Sequence, residues 1–158
     1  MATIENFEEL KSWQNARRLA NVIYDLADKP AFSKDRELAG QIKGAAGSVM
    51  HNIAEGFEAG LDPEFVRFLK IARRSVSEVQ SEIYLALDRK YLSGSELRTA
   101  YDLAKETKRL INGLITYLRE HPVSRQVKER MPPDQLYACE ILSEEGLDFP
   151  PGNCRPTA

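Results

Sequence analysis

The sequence predicts an all-α protein: an antiparallel up-down four-helix bundle over residues 6–120, followed by a Pro-rich C-terminal tail over 121–158. Three observations predict it. Apolar residues recur at helical spacing through four successive segments. Capping residues stand where those segments begin, and prolines or glycines where they end. No run of alternating apolar and polar residues in this region suggests a strand. A chain of 158 residues suits one domain with a core of its own.

The first helix is expected from about Phe7 to Asp28, with Asn6 as cap and Glu9 as the return half of a capping box. Its buried stripe is Leu10, Trp13, Ala16 or Ala20, Ile23 and Ala27, and Pro30 ends it. The second helix starts between Ser33 and Arg36 and runs to about Glu58. At about 100° per residue, Leu38, Ile42, Ala45, Ala46, Val49 and Ile53 share one face. Gly56 and Gly60 then loosen the chain. Asp62-Pro63-Glu64 offers the third helix a cap, a proline at the first helical position and an early acid. That helix buries Phe65, Phe68, Leu69, Ala72, Val76, Val79, Ile83 and Leu87. The fourth begins at Ser93 or Ser95, and Ser93 with Glu96 makes a second capping box. Leu97, Tyr101, Ala104, Ile111, Leu114, Ile115 and Leu118 form its core face, and Pro122 closes it. Such helices are about 30–40 Å long, and short loops make successive ones antiparallel neighbours.

After residue 121 the composition shifts: prolines stand at 122, 132, 133, 150, 151 and 156. One short helix is expected near 134–145, with Leu136, Ile141 and Leu142 on one side. The segment is either a mobile tail or an arm that docks those apolar groups on this subunit or a neighbour.

No stretch of about 18 apolar residues exists, so no spanning helix and no membrane partner are expected. The start, MATIENFEEL, lacks the basic and apolar runs of a secretory signal. Cys139 and Cys154 are the only cysteines and are read as free thiols of a reducing compartment, which places the protein in the cytoplasm. The net charge of −2 hides an even split, 18 Lys and Arg against 18 Asp and Glu through His121. A strong nucleic-acid binder usually carries a basic excess, so any basic patch here has to be local.

Catalytic patterns are absent from the sequence. A di-iron bundle needs Glu-x-x-His on facing helices, but Ser48 stands three residues before His51 and Leu118 three before His121. His51 and Glu55 are four apart on one helix, and nothing else completes a metal set. Both cysteines lie in the tail, Ser48, Ser75, Ser77 and Ser81 lack an evident base, and no Gly-rich loop follows a strand. The expectation is a protein that is not an enzyme and uses no metal and no cofactor.

Three surface features ask for a function. Gly40, Gly44 and Gly47 fall on the face of the second helix opposite its core stripe, with His51 continuing the line. Each interior glycine costs about 0.8–1 kcal/mol relative to alanine, so the bare strip suggests an oligomer interface where another backbone approaches. Gln41, Ser48, Asn52 and Glu55 run along one flank of that helix, with Ser75 and Glu78 opposite on the third. Buried polar groups need partners, so these six are expected to form a structural hydrogen-bond ladder. Arg67, Lys70 and Arg74 share the outer side of the third helix with Arg73 beside them, and the fourth adds Lys105, Lys108 and Arg109. A charge run on a helix is commonly a solvated face, but an oligomer repeats it and strengthens it.

The segment from Gln41 to Gly56, QIKGAAGSVMHNIAEG, resembles the signature of the four-helix-bundle proteins encoded in 23S rRNA intervening sequences. Relatives of that family include the accessory variability proteins of diversity-generating retroelements. Phe7-x-x-Leu10-x-x-Trp13-Gln14-x-Ala16 and Glu64-Phe65-x-x-Phe68-Leu69-x-Ile71-Ala72-x-x-Ser75-x-x-Glu78 extend the likeness, which covers about Phe7 to Leu118. The resemblance implies a homo-oligomer, typically a pentamer, without known catalytic activity. Retroelement members bind RNA or DNA through basic outer surfaces and associate with a reverse transcriptase, which makes Lys43, Arg67, Lys70 and Arg74 candidate phosphate contacts. This chain has Gly44 where the family often has a second basic residue, Arg74 where glycine is frequent, and Met50 where proline is common.

Two functions from different classes therefore stand. One is a nucleic-acid-binding adaptor acting through repeated basic patches, with structured RNA or DNA and a reverse transcriptase as partners. The other is a structural oligomer that recruits a protein partner through the glycine strip or the tail.

Overall fold

A computed structural model of the chain describes residues 4–121. The expected tail helix, Pro122 and both cysteines lie outside the described residues. Within them a 3-10 turn, Phe7–Glu9, precedes four helices: α1 (Lys11–Ala27), α2 (Arg36–Glu58), α3 (Asp62–Asp88) and α4 (Gly94–Glu120). Helix α1 packs on α2, α2 on α3, α3 on α4 and α4 back on α1, and their buried side chains form one core. The architecture is an all-α up-down bundle, as the periodicity and short loops predict.

The start differs from a continuous first helix. Leu10 is extended (φ −68°, ψ 121°) and separates the 3-10 turn from α1. The Glu9 carboxylate accepts from the Asn6 backbone N–H at 3.2 Å, so the box caps the short turn rather than α1. Burial explains the break: Leu10 is core, its carbonyl accepts from the Gln14 N–H, and Phe7 folds back edge-on to Trp13 with centroids 5.1 Å apart. Trp13 is half-buried, Ala16 and Ala20 are both buried, and Leu19 joins them fully buried.

Asp35 caps α2 by accepting from the Leu38 N–H at 3.1 Å, and all six expected stripe residues are buried. Gly56 does not loosen the chain as expected; it lies inside α2, buried against α3. Gly60 makes the turn with φ of 73°, a conformation glycine adopts without strain. At α3 the expected cap moves by one residue: Leu61 takes the cap position with no side-chain bond, and Asp62 is the first helical residue, buried. Ser93 and Glu96 cap α4 as a box, Ser93 Oγ accepting from the Glu96 N–H and the Glu96 carboxylate from the Ser93 N–H. Phe68, Leu87, Leu97, Tyr101 and Leu114 are only half-buried, because they sit at helix seams rather than on the bundle axis.

The loop end of the bundle is tied by side chains. Phe32, fully buried in the α1–α2 loop, stacks on Tyr91 with centroids 5.1 Å apart. The Tyr91 hydroxyl donates to Asp35, and burial together with that carboxylate raises its pKa. Lys29 donates to both Glu96 oxygens at 2.9 Å. Donation from Ser93 and from Lys29 holds the Glu96 pKa down at about 2. Lys90 closes α3 in the left-handed region (φ 64°), with Tyr91 N–H bonded to the Ala86 carbonyl and Lys90 N–H to that of Leu87.

Candidate functional site

The site is assembled from two helical stretches that lack acids. Helix α3 carries none between Glu64 and Glu78, and α4 none between Glu106 and Glu120. Antiparallel packing sets these stretches side by side. Two bonds across the seam fix their register: Arg73 donates to Asn112 Oδ1 at 3.2 Å, and Lys108 donates to Ser77 Oγ at 2.8 Å. Arg67, Lys70, Arg73 and Arg74 from α3 thus share one band with Lys108 and Arg109 from α4, and Lys105 continues it one turn along.

The cations of the band differ in their freedom. Arg67 pairs with Glu64 at 3.1 Å, and its guanidinium lies 4.7 Å over the Phe68 ring. Arg109 makes two bonds to the Glu106 carboxylate, at 2.8 and 2.7 Å. That pairing lowers the Glu106 pKa and raises that of Arg109. Such exposed i,i+3 pairs contribute little net energy, so a phosphate competes with them readily. Arg73 and Lys108 serve as ties between helices. Lys70, Arg74 and Lys105 are exposed and carry no ion pair among the described residues.

Lys43 stands apart from the band. It pairs with Asp28, the residue that caps the C-terminus of α1, and lies 5.2 Å over the Tyr24 ring, at the α1–α2 seam on the other side of the bundle. The family resemblance implies Lys43 as a phosphate contact alongside Arg67, Lys70 and Arg74; helix order puts it on a different seam from them.

The polar flank of α2 contributes a shorter group than the ladder of six. The Ser48 and Ser75 hydroxyls lie 3.0 Å apart, and Asn52 donates to the Ser48 carbonyl at 2.8 Å and to its hydroxyl at 3.0 Å. Gln41, Glu55 and Glu78 are exposed and stand outside it. On the face opposite the core stripe, a Cβ added at Gly40 or Gly44 would meet nothing within 4 Å. His51 is exposed and its ring lies over Gly47, 3.6 Å from where a Cβ would stand. Among the described residues no group of three His, Cys, Asp or Glu could hold a metal, and no helix is long and apolar enough to cross a membrane.

Over residues 8–113 the sequence matches the family described as 23S rRNA-intervening sequence protein. That span covers more than half of the chain. The chain belongs to the 23S rRNA-intervening sequence protein family. The α2 segment that carries the likeness, ending in Asn52-Ile53-Ala54-Glu55-Gly56, lies inside the match. A solved member of the S23 ribosomal protein family, a protein of unknown function from Bacteroides thetaiotaomicron VPI-5482, is similar with a TM-score of 0.57 at 23% identity. The likeness covers 66% of this chain and 94% of that one, and at this identity it shows the fold. No curated protein matches the chain.

The cations of the band are visible in the sequence, but what surrounds them is not. Asn112, Ser77 and Gln80 receive the inner cations, and Arg98 extends the charge along α4. The spacing of Arg98, Tyr101 and Lys105, three and four residues apart, was the available signal.

Proposed function

We propose that this member of the 23S rRNA-intervening sequence family is a non-catalytic, homo-oligomeric adaptor that binds nucleic acid along the α3–α4 seam. The observation that carries this reading is the alignment of the acid-free stretches of α3 and α4, joined by Arg73–Asn112 and Lys108–Ser77. It gathers onto one face seven of the 18 Lys and Arg of a helical region whose charges balance as a whole. Phosphate contacts dominate nucleic-acid affinity, and the neutral Asn112 amide N–H2 beside the cations suits phosphate oxygens as well.

A pentameric assembly, as the family resemblance implies, repeats the band around its circumference and multiplies a modest local charge. The open strip at Gly40 and Gly44 is the surface offered for that contact. A reverse transcriptase is the protein partner implied by the retroelement relatives. In the competing reading the same strip receives an unrelated protein, and the cations are only a solvated face.

Fluorescence anisotropy with a structured RNA separates the two. The Lys70→Ala/Arg74→Ala/Lys105→Ala variant is expected to bind at least about tenfold more weakly, its log–log salt slope shallower by roughly 0.7–0.9 per lost contact. Equal affinity for wild type and variant would sink the phosphate-band reading. Loss of the assembly in Gly44→Leu, read by sedimentation, would support the strip as a subunit contact.

A further inference from the structure

The α3–α4 seam does not end with its cationic band. Toward the loop between the two helices it carries an aromatic pair, Tyr84 of α3 and Tyr101 of α4, with centroids 5.6 Å apart and planes inclined at 67°. Tyr84 is 49% exposed and Tyr101 half-buried, so the pair presents ring surface to water. Beneath the pair, Ile83, Ala86, Ala100 and Ala104 are each fully buried, and Tyr101 packs against this core from the seam. Tyr84, outside the core, covers the seam beside Tyr101 with a largely exposed ring.

Charge surrounds the pair on the α4 side. Arg98 stands three residues before Tyr101 and Lys105 four after it, on the same helical flank. Both are exposed and carry no ion pair among the described residues. Lys108 reaches across the seam to Gln80 Oε1 at 3.4 Å, and Gln80 is one turn before Tyr84. Asp88, one turn beyond Tyr84, and Asp102, beside Tyr101, mark the acidic margin of the patch. Rings therefore lie in line with the band and are flanked by its last cations.

We infer that Tyr84 and Tyr101 form a stacking platform for unpaired bases, so that the ligand of this seam is single-stranded or loop-bearing nucleic acid rather than a continuous duplex. The inference rests on the proposed phosphate-binding role of the band and names its ligand class. In a duplex the base faces are covered by their neighbours, whereas an unpaired base offers a face to an aromatic side chain. Stacking of this kind tolerates every base, and a cationic groove that tracks the backbone commonly accompanies it. Here both parts occur on one seam, with Lys105 and Arg98 placed to hold the backbone on either side of a base at Tyr101.

The test uses the full chain, a labelled unstructured single strand and a blunt duplex of the same length, compared by anisotropy. Wild type is expected to bind the single strand more tightly. Tyr84→Ala/Tyr101→Ala should weaken single-strand binding by about fivefold or more per ring, with duplex binding unchanged. Tyr84→Phe/Tyr101→Phe keeps the rings and should retain the preference. An alanine variant that holds the single strand as wild type does, or loses both ligands equally, overturns the platform. Equal binding of strand and duplex by wild type, insensitive to the tyrosines, overturns it while leaving the phosphate band intact. Wild type that retains neither ligand overturns both.

Discussion

Gly56 of α2 lies so close to Phe68 of α3 that a Cβ added there would stand 2.7 Å from the Phe68 Cβ and 2.8 Å from a Phe65 ring carbon. The Phe68 Cβ is bonded directly to the backbone and cannot swing aside. The glycine is what allows the two helices to approach at this end of the bundle. Gly56→Ala is expected to cost about 1–3 kcal/mol even though alanine favours a helix by about 0.8–1 kcal/mol. Urea denaturation measures it. Gly40→Ala and Gly44→Ala, where the added atom meets nothing, should instead stabilise the isolated subunit by about that propensity gain.

Across the bundle, Asn15 of α1 donates to the Thr107 hydroxyl of α4 at 2.9 Å, and Thr107 donates in turn to the Leu103 carbonyl at 2.8 Å. Thr107 has no exposed surface. Thr107→Val keeps the shape but removes the acceptor, leaving the Asn15 amide only a 3.4 Å contact with the Leu103 carbonyl. The expected loss is about 1–3 kcal/mol, read as a lower denaturation midpoint with an unchanged slope.

Glu82 on α3 is buried, and its Oε2 has no hydrogen-bond partner among the described residues. Burial first, and the nearby Glu78 second, raise its pKa from 4.5 to about 7. Between those two values the folded state holds more protons than the unfolded one, so this group makes stability fall as pH rises. Below 4.5 its effect is absent, and above 7 the effect is complete. Glu82→Gln should flatten that slope and stabilise the protein at pH 8 relative to pH 5, by on the order of 2 kcal/mol. Denaturation of wild type and variant at both pH values tests it; parallel pH profiles would count against the assignment.

Glu106 occupies Arg109 at the edge of the cationic band. Glu106→Gln removes one negative charge and frees that guanidinium. If the band holds phosphates, affinity for RNA should rise several-fold and the salt dependence steepen by about one contact. An unchanged slope would show that Arg109 does not reach the ligand.

Much of the fold was legible because its signals are local. Ser93 and Glu96 act as a capping box through bonds to backbone within one turn, and residue order alone reveals such partners. Leu38, Ile42, Val49, Val76 and Ile83 are buried because each repeats on the face its helix turns inward. Phe32 was not legible: a single aromatic in a loop has no period, and only its stacking on Tyr91 explains its burial. Asp62 misled for the opposite reason, since a sequence that suits a cap does not fix whether that residue stands before the helix or inside it.

The candidate site divides in the same way. The sequence determined which residues are cationic, that Arg67, Lys70 and Arg74 face outward from α3, and that the α2 motif marks the family. Periodicity gives a residue's angle relative to its own core, but not which helix stands beside it or at what register. Those are set by interdigitation of side chains across antiparallel neighbours. Only the tertiary structure decided that the acid-free stretches of α3 and α4 coincide, that Lys43 belongs to the opposite seam, and that Tyr84 and Tyr101 meet where the charge ends.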